Sequence, residues 1–199
     1  MERLGLTAKA NFVAANLYLF DFTSATVLTM YLLPHINLDL RPRILGGLKP
    51  GTRVVSHDFD MGKWQPDVRL EVSVPDKPYG EPVSRVYLWY VPAQVAGQWQ
   101  WRIAHDGRDR RIEAAFNQTF QRLTATAAVE GARADIEGAT LKGDAIAFTL
   151  RLDAGGRKDV YEFSGRIDGD KIAGKVKTGG EKESEWHALR IARGRAGIE

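Results

Sequence analysis

The chain has 199 residues, 44% hydrophobic, 10% aromatic and 27% charged, a globular composition whose apolar content excludes wholesale disorder. It contains no cysteine, which removes disulfides, thiolate metal sites and a cysteine nucleophile and suits a reducing, cytoplasmic compartment. Its 28 Lys and Arg exceed its 25 Asp and Glu to a net charge of only +3. There is no basic block to footprint a nucleic acid and no apolar stretch of the roughly 20 residues a spanning helix needs, so neither nucleic acid nor membrane is an expected partner.

Composition changes near residue 96. All eight prolines lie at or before Pro92 and all three methionines at or before Met61, whereas 14 of the 20 glycines lie from Gly97 onward. Two domains are expected, 1–96 and 97–199. In the first, Ala10 to Ala14 is a short strand candidate, Ala25 to Leu33 is apolar on both faces like an interior strand of a parallel sheet, and Thr52 to Ser56 follows the Pro50-Gly51 turn. Between the last two, Ile36, Leu40, Ile44 and Leu48 stand four apart, and Gly46-Gly47 closes the pattern, which predicts a helix over 36–48. Val68 to Val74 and Ser84 to Tyr90 read as a strand pair across the turn-rich stretch from Pro75 to Gly80.

The second part is a series of eight short strands: 99–104, 111–119, 122–129, 134–141, 145–152, 159–166, 171–177 and 186–192. Their connections contain glycine, most plainly in the paired tips Lys142-Gly-Asp-Ala145 and Asp168-Gly-Asp-Lys171. Asn117-Gln118-Thr119 falls inside a strand and not on a glycosylation loop. The expected fold class is α/β plus all-β: a partial Rossmann-like sheet followed by a small antiparallel β-barrel or meander.

Several segments of the first part carry a family likeness: Asn16-Leu-Tyr-Leu-Phe-Asp21, Ala25-Thr-Val-Leu-Thr-Met-Tyr-Leu-Leu-Pro34, Asn37-Leu38, Arg41-Pro42, Leu48 through Val-Val-Ser56, and Trp64-Gln-Pro66. Over about residues 3 to 93 the chain resembles the later half of class I S-adenosylmethionine-dependent methyltransferases, and within them the bacterial and mitochondrial branch of small protein-lysine methyltransferases. The resemblance implies that Asn16 and Leu17 follow the third strand at the adenine edge of the cofactor. It places Tyr31, Leu32, Leu33 and Pro34 at the end of the fourth strand, beside the transferred methyl group. Catalytic roles then fall to Tyr31 and Pro34, cofactor contacts to Asn16, Leu17, Tyr31 and Leu32, and acceptor contacts to Leu33, His35 and Asn37, with no metal.

Physical reasoning fits that placement, because ligands of open α/β sheets sit outside the carboxyl ends of strands. Methyl transfer is an in-line displacement, for which a protein supplies alignment and a dry slot for a neutral amine; no catalytic triad is required. What is absent is the glycine-rich turn after a first strand and the acidic residue ending a second, through which such folds hold their cofactor. Met1 to Thr7 reads as the end of a helix preceding the third strand. On these grounds the chain is expected to be an inactive methyltransferase fragment. Its acceptor is a protein or small-molecule amine, and its unpaired strand edge is met by self-association or by an N-terminal partner chain. The alternative is a non-enzymatic module whose barrel holds a ligand or partner.

Each candidate also has a plainer reading. Tyr31 can be core, His35 a solvent-facing residue at a helix start, and Asn37 the helix N-cap. In His57-Asp-Phe-Asp60, strand alternation sets His57 opposite Asp58 and Asp60, against a shared metal, and the segment reads instead as a turn at the strand end. Trp89, Trp99 and Trp101 are expected to join the two domains, and Arg108, Arg110 and Arg111, interleaved with Asp106, Asp109 and Glu113, to form a solvated turn.

Overall fold

A computed structural model of the protein describes residues 9–105, 108–154, 157–179 and 182–198. The run Met1 to Thr7, Asp106, Gly155-Gly156 and Gly180 lie outside the described residues. The first part forms β1 (Val27–Met30), α1 (Pro34–Gly47), β2 (Arg53–His57), β3 (Val68–Ser73) and β4 (Val83–Tyr90). They build a four-stranded mixed sheet in the order β1-β2-β4-β3. β1 and β2 run parallel, joined by α1 as a crossover; β4 is antiparallel to both β2 and β3.

α1 starts two residues earlier than the apolar spacing suggests because Pro34 sits in the first turn, where its fixed φ suits a helix and its missing N–H is no loss. Leu40, Ile44 and Leu45 turn inward with Leu48 beyond the helix end, and they meet Met30, Val54, Tyr87 and Trp89 from one face of the sheet. The other face carries no helix among the described residues. There Val68, Leu70 and Val72 of β3 are all exposed.

The second part is β5 (Gly97–His105), β6 (Arg108–Thr119), β7 (Arg122–Val129), β8 (Ala132–Lys142), β9 (Ala145–Ala154), β10 (Arg157–Asp168), β11 (Lys171–Thr178) and β12 (Lys182–Arg193). Each strand pairs antiparallel with its sequence neighbour, and β12 returns to β5, closing an eight-stranded barrel. Glycine permits the tightest approaches. Gly165 and Gly174 stand in register, and a Cβ on Gly174 would lie 1.9 Å from the Ser164 carbonyl oxygen. The interior is filled: Trp101, Phe148, Phe163 and Trp186 have all six ring pairs at centroid distances of 4.8–5.9 Å. Eight strands leave room for little more than side chains, and aromatic ones occupy it here.

Sheet and barrel share a seam. Phe120, at the β6–β7 turn, stacks on Trp64 at 6.3 Å and belongs to the apolar cluster of the sheet. The buried Gln118 side chain accepts hydrogen bonds from the Val95 and Ala96 N–H groups, at 2.7 and 3.2 Å, and donates to the carbonyls of Ala93 and Phe120, both at 2.8 Å. Arg190 donates to the carbonyls of Gln94, Ala96 and Gly169 and lies over the Trp99 ring. The connecting segment 91–96 is thus tied down along its length.

Four expectations are corrected. Ala10 to Ala14 is irregular and exposed, because it pairs with no strand among the described residues. The Ala25 to Leu33 run yields only the four-residue β1, an edge strand, since its second neighbour is lacking among the described residues. The tryptophans do not form one joining cluster: Trp89 packs with Trp64 in the sheet cluster, while Trp99 and Trp101 face the barrel core. Arg108 to Arg111 are strand residues of β6, not a turn.

Candidate functional site

The carboxyl ends of β1 and β2 point the same way, and the β3–β4 hairpin folds to that same end, because β2 and β3 both run antiparallel to β4. A cleft of about 470 Å³ opens there, with Tyr31, His57, Lys77 and Tyr79 in its lining. Tyr31 is 55% exposed. Its hydroxyl lies 2.5 Å from that of Tyr79, and its ring meets the His57 ring edge-on at 4.5 Å. The hydrogen bond with Tyr79 raises the Tyr31 phenol above its ordinary pKa, with partial burial and the charges of Tyr79 and Asp58 acting in the same direction, so the hydroxyl stays protonated at neutral pH.

The floor of the cleft is set by the turn after β2. Asp58 adopts a φ of +63°, unusual for a residue other than glycine, and breaks the strand alternation at His57. The expected opposition of His57 and Asp58 is therefore corrected: His57 Nδ1 lies 3.7 Å from Asp58 Oδ2. The Asp58 carboxylate accepts from Lys77 Nζ at 2.6 Å and from the Arg85 N–H at 2.9 Å, and Lys77 donates also to the Val83 carbonyl at 2.8 Å. Burial works to raise the Asp58 pKa, but the hydrogen bonds from Lys77 and Arg85 and the charges of His57 and Lys77 outweigh it and hold the carboxyl below its ordinary range. Lys77 and Asp58 are both largely buried, so their charges are spent on each other and on anchoring the hairpin.

The remaining sequence candidates scatter. Pro34 and His35 are exposed at the start of α1, Leu33 is exposed at the cap position, and Leu32 is half-buried against the sheet cluster. Asn37 is not the N-cap. The helix begins at Pro34, which puts Asn37 inside it and fully buried, where its amide donates to Ser56 Oγ at 3.1 Å and to the Phe59 and Asp60 carbonyls at 3.2 and 3.4 Å. It fastens α1 to the turn after β2, and its own Oδ1 has no hydrogen-bond partner among the described residues. Asn16 and Leu17 sit apart in the exposed N-terminal segment. Asn16 folds back to accept from the Tyr18 N–H, and the Leu17 carbonyl accepts from Arg43. Tyr79 and Lys77 escape sequence reading, because each acts through the hairpin fold, and the turn-rich Pro75 to Gly80 is their one local signal; the bend at Asp58 is the strand-end turn expected of His57-Asp-Phe-Asp60.

Residues 1–68 match the family model for the ANTKMT methyltransferase domain. A protein-lysine N-methyltransferase of Saccharolobus islandicus (strain REY15A) is 43% identical over 72 residues. The N-terminal part of this chain is methyltransferase-like. The aligned stretch is 36% of this chain and 45% of that relative, so the chain spans less than half of the curated protein's length. An RNA methyltransferase from Salinibacter ruber, solved in complex with S-adenosyl-L-homocysteine, aligns at 38% identity over 47% of this chain and 56% of its own, with a TM-score of 0.41. The methyltransferase-like residues include β1, α1, β2 and the Asp58 bend; Tyr79, Lys77 and the whole barrel lie beyond the family match.

The residues present do not fit S-adenosylmethionine by themselves. No glycine-rich turn follows either strand of the parallel pair: β1 leads through Tyr31-Leu-Leu to Pro34, and β2 leads to His57-Asp-Phe-Asp60. Asn16 and Leu17, placed at the adenine edge by the family likeness, belong to no strand of the sheet.

Proposed function

We propose that this chain supplies the acceptor side of an S-adenosylmethionine-dependent methyl-transfer site, in a partial Rossmann-like sheet, with an amine of a protein or small molecule as acceptor. The observation that carries the reading is the cleft at the carboxyl edge of β1 and β2, which exposes Tyr31 at the very strand end of the methyltransferase-like sequence. Open α/β sheets bind ligands at that edge. The similarity to a protein-lysine N-methyltransferase supports an amine acceptor. Tyr31 lines the cleft, Leu33 and His35 stand exposed in the chain after it, and the aromatic rings offer a wall against which an acceptor is aligned. Pro34 fixes where β1 ends and α1 begins, and Asn37 acts from beneath as a positioning residue.

The glycine-rich, cofactor-holding side is assigned to polypeptide outside these 199 residues, paired along β1. This is supported by the two edges of the sheet. β3 carries Arg69 and Glu71, which ion-pair with each other, Glu71 pairing also with Arg85, a charged edge that discourages pairing. β1, Val-Leu-Thr-Met, has no charge at all. Phe12 and Leu19, about four-fifths exposed, lie in the segment leading to it. The filled barrel supports a structural platform over a ligand-holding container, which was the competing reading.

Titration calorimetry of the purified chain with S-adenosylmethionine tests this proposal. No binding up to millimolar cofactor is expected from the chain alone, and micromolar affinity would show that these residues suffice to hold it.

A further inference from the structure

After β12, residues 194–198 turn back across the seam between barrel and sheet. The Gly194 N–H donates to the Ala96 carbonyl at 3.0 Å; the Gly197 N–H donates to the Gln118 carbonyl and the Phe120 N–H to the Gly197 carbonyl, both at 2.9 Å. Ile198 then packs against the apolar cluster of the sheet. Between this tail, α1 and the linker lies a cavity of about 790 Å³, lined by Arg41 and Pro42 of α1, by Gln94, and by the tail with Arg195 and Ile198. That volume is ordinary for a small-molecule site, and no lining residue is shared with the Tyr31 cleft.

Charge distinguishes this lining: among the described residues it has two arginines and neither aspartate nor glutamate. Arg41 is half-buried and held in place. Its Nη1 donates to the Met61 carbonyl at 2.9 Å, and its guanidinium lies over the Phe120 ring at 5.4 Å. Among the described residues no carboxylate pairs with it, and its Nε is enclosed without a hydrogen-bond partner. Charged groups taken partly out of water ordinarily acquire a counter-charge; Arg190, on the same seam, has Asp170 at 3.0 Å. Arg41 is thus a fixed cation without a counter-ion at the wall of a cavity, and oxyanions are what a guanidinium recognises.

We propose that the cavity binds a small organic oxyanion, a carboxylate or phosphomonoester on an apolar body. Arg41 and Arg195 supply the charge, the Gln94 amide a neutral donor, and Pro42 and Ile198 the apolar wall. Because the lining comes from helix, linker and tail together, the ligand binds while sheet and barrel are docked and by mass action holds them so. Occupancy stiffens the seam, independently of methyl transfer. Gln94 and the tail lie beyond the family match over residues 1–68.

Calorimetry of the full chain at fixed ionic strength, with phenyl phosphate, benzoate and neutral benzyl alcohol as probes, tests the site. Saturable binding of at least one anion at millimolar concentration or below is expected, with none of benzyl alcohol, and the bound anion should raise the thermal midpoint. Tighter binding of phenyl phosphate assigns a phosphomonoester; equal or tighter binding of benzoate assigns a carboxylate. Arg41→Gln should weaken the preferred anion about tenfold, the scale of a lost charge-assisted hydrogen bond. Since Arg41 also fastens Met61 and Phe120, the exposed Arg195 provides a second variant, and Arg195→Gln should weaken the anion about threefold, the scale of an exposed charge contact. No saturable binding of either anion, equal binding of benzyl alcohol, or unchanged affinity in the variants that keep the native barrel resonances would each overturn the inference.

Discussion

The barrel and the sheet are both made of short strands, yet they handle their edges in opposite ways. In the barrel every strand has two partners, and closure through β12 and β5 leaves no free ladder. Its apolar side chains converge on one aromatic centre. The sheet has four strands, a helix on one face, an uncovered apolar face opposite and a neutral edge at β1. The difference teaches where stability and function separate. The barrel is complete within itself, whereas the sheet holds the candidate site at the border where, among the described residues, it lacks a neighbour.

The sharpest way to break this contrast is to remove one side chain from each region. Trp101→Ala takes out a ring that touches Phe148, Phe163 and Trp186, and should cost about 3–5 kcal/mol in denaturant unfolding. Tyr31→Ala, at a half-exposed ring, should cost less than about 0.5 kcal/mol, while lowering turnover once the site is completed. If Tyr31→Ala destabilised the fold as much as Trp101→Ala does, Tyr31 would be core and its role in the site would fall.

A smaller effect belongs to the seam. Gln118→Ala leaves the N–H groups of Val95 and Ala96 and two carbonyls without their partner, which should cost about 2–3 kcal/mol. Two separate thermal transitions are expected in place of one, because the segment joining sheet and barrel loses its clamp. A single unchanged transition would show that the two regions are coupled elsewhere.

The smallest effect is one of pH. The carboxyl of Asp58 is lowered in the folded chain from an ordinary value of 3.8. Its contribution is therefore complete above that value and is lost as pH falls through the lower, folded pKa. Below about pH 4 the hairpin should loosen, read as movement of the Tyr79 ring resonances, with the barrel unaffected. Asp58→Asn should abolish that pH dependence; if the resonances still moved in Asp58→Asn, another group would be responsible.

Legibility in the sequence follows the same divide. All eight barrel strands stand at their expected places, because alternation and glycine turns are local signals and closure follows from their number. The Gly-Asp tips are direct examples: Gly143 and Gly169 take φ of +61° and +57° between directly paired strand residues. The helix expected over 36–48 and the strand expected over Thr52 to Ser56 were readable to within two residues, the helix running from Pro34 to Gly47 and the strand from Arg53 to His57. Ala10 to Ala14 was not, since a strand exists only where a neighbour pairs with it. Asn37 carried the wrong role because N-cap preference is a weak signal beside Pro34, which fixed the helix start three residues earlier. Gln118 and Tyr79 were invisible as key residues: one is a polar residue in an alternating strand, the other a turn tyrosine, and what they touch lies 25 and 48 residues away.

The central claim is that β1 is a pairing edge, and backbone hydrogen exchange at several protein concentrations tests it most directly. In dilute solution the amides of Val27 to Met30 should exchange far faster than those of the barrel strands. They should gain protection as concentration rises or when the completing polypeptide is added, while barrel exchange stays constant. Slow exchange through Val27 to Met30 in a dilute monomer would mean that the chain closes its own edge, and would contradict the account.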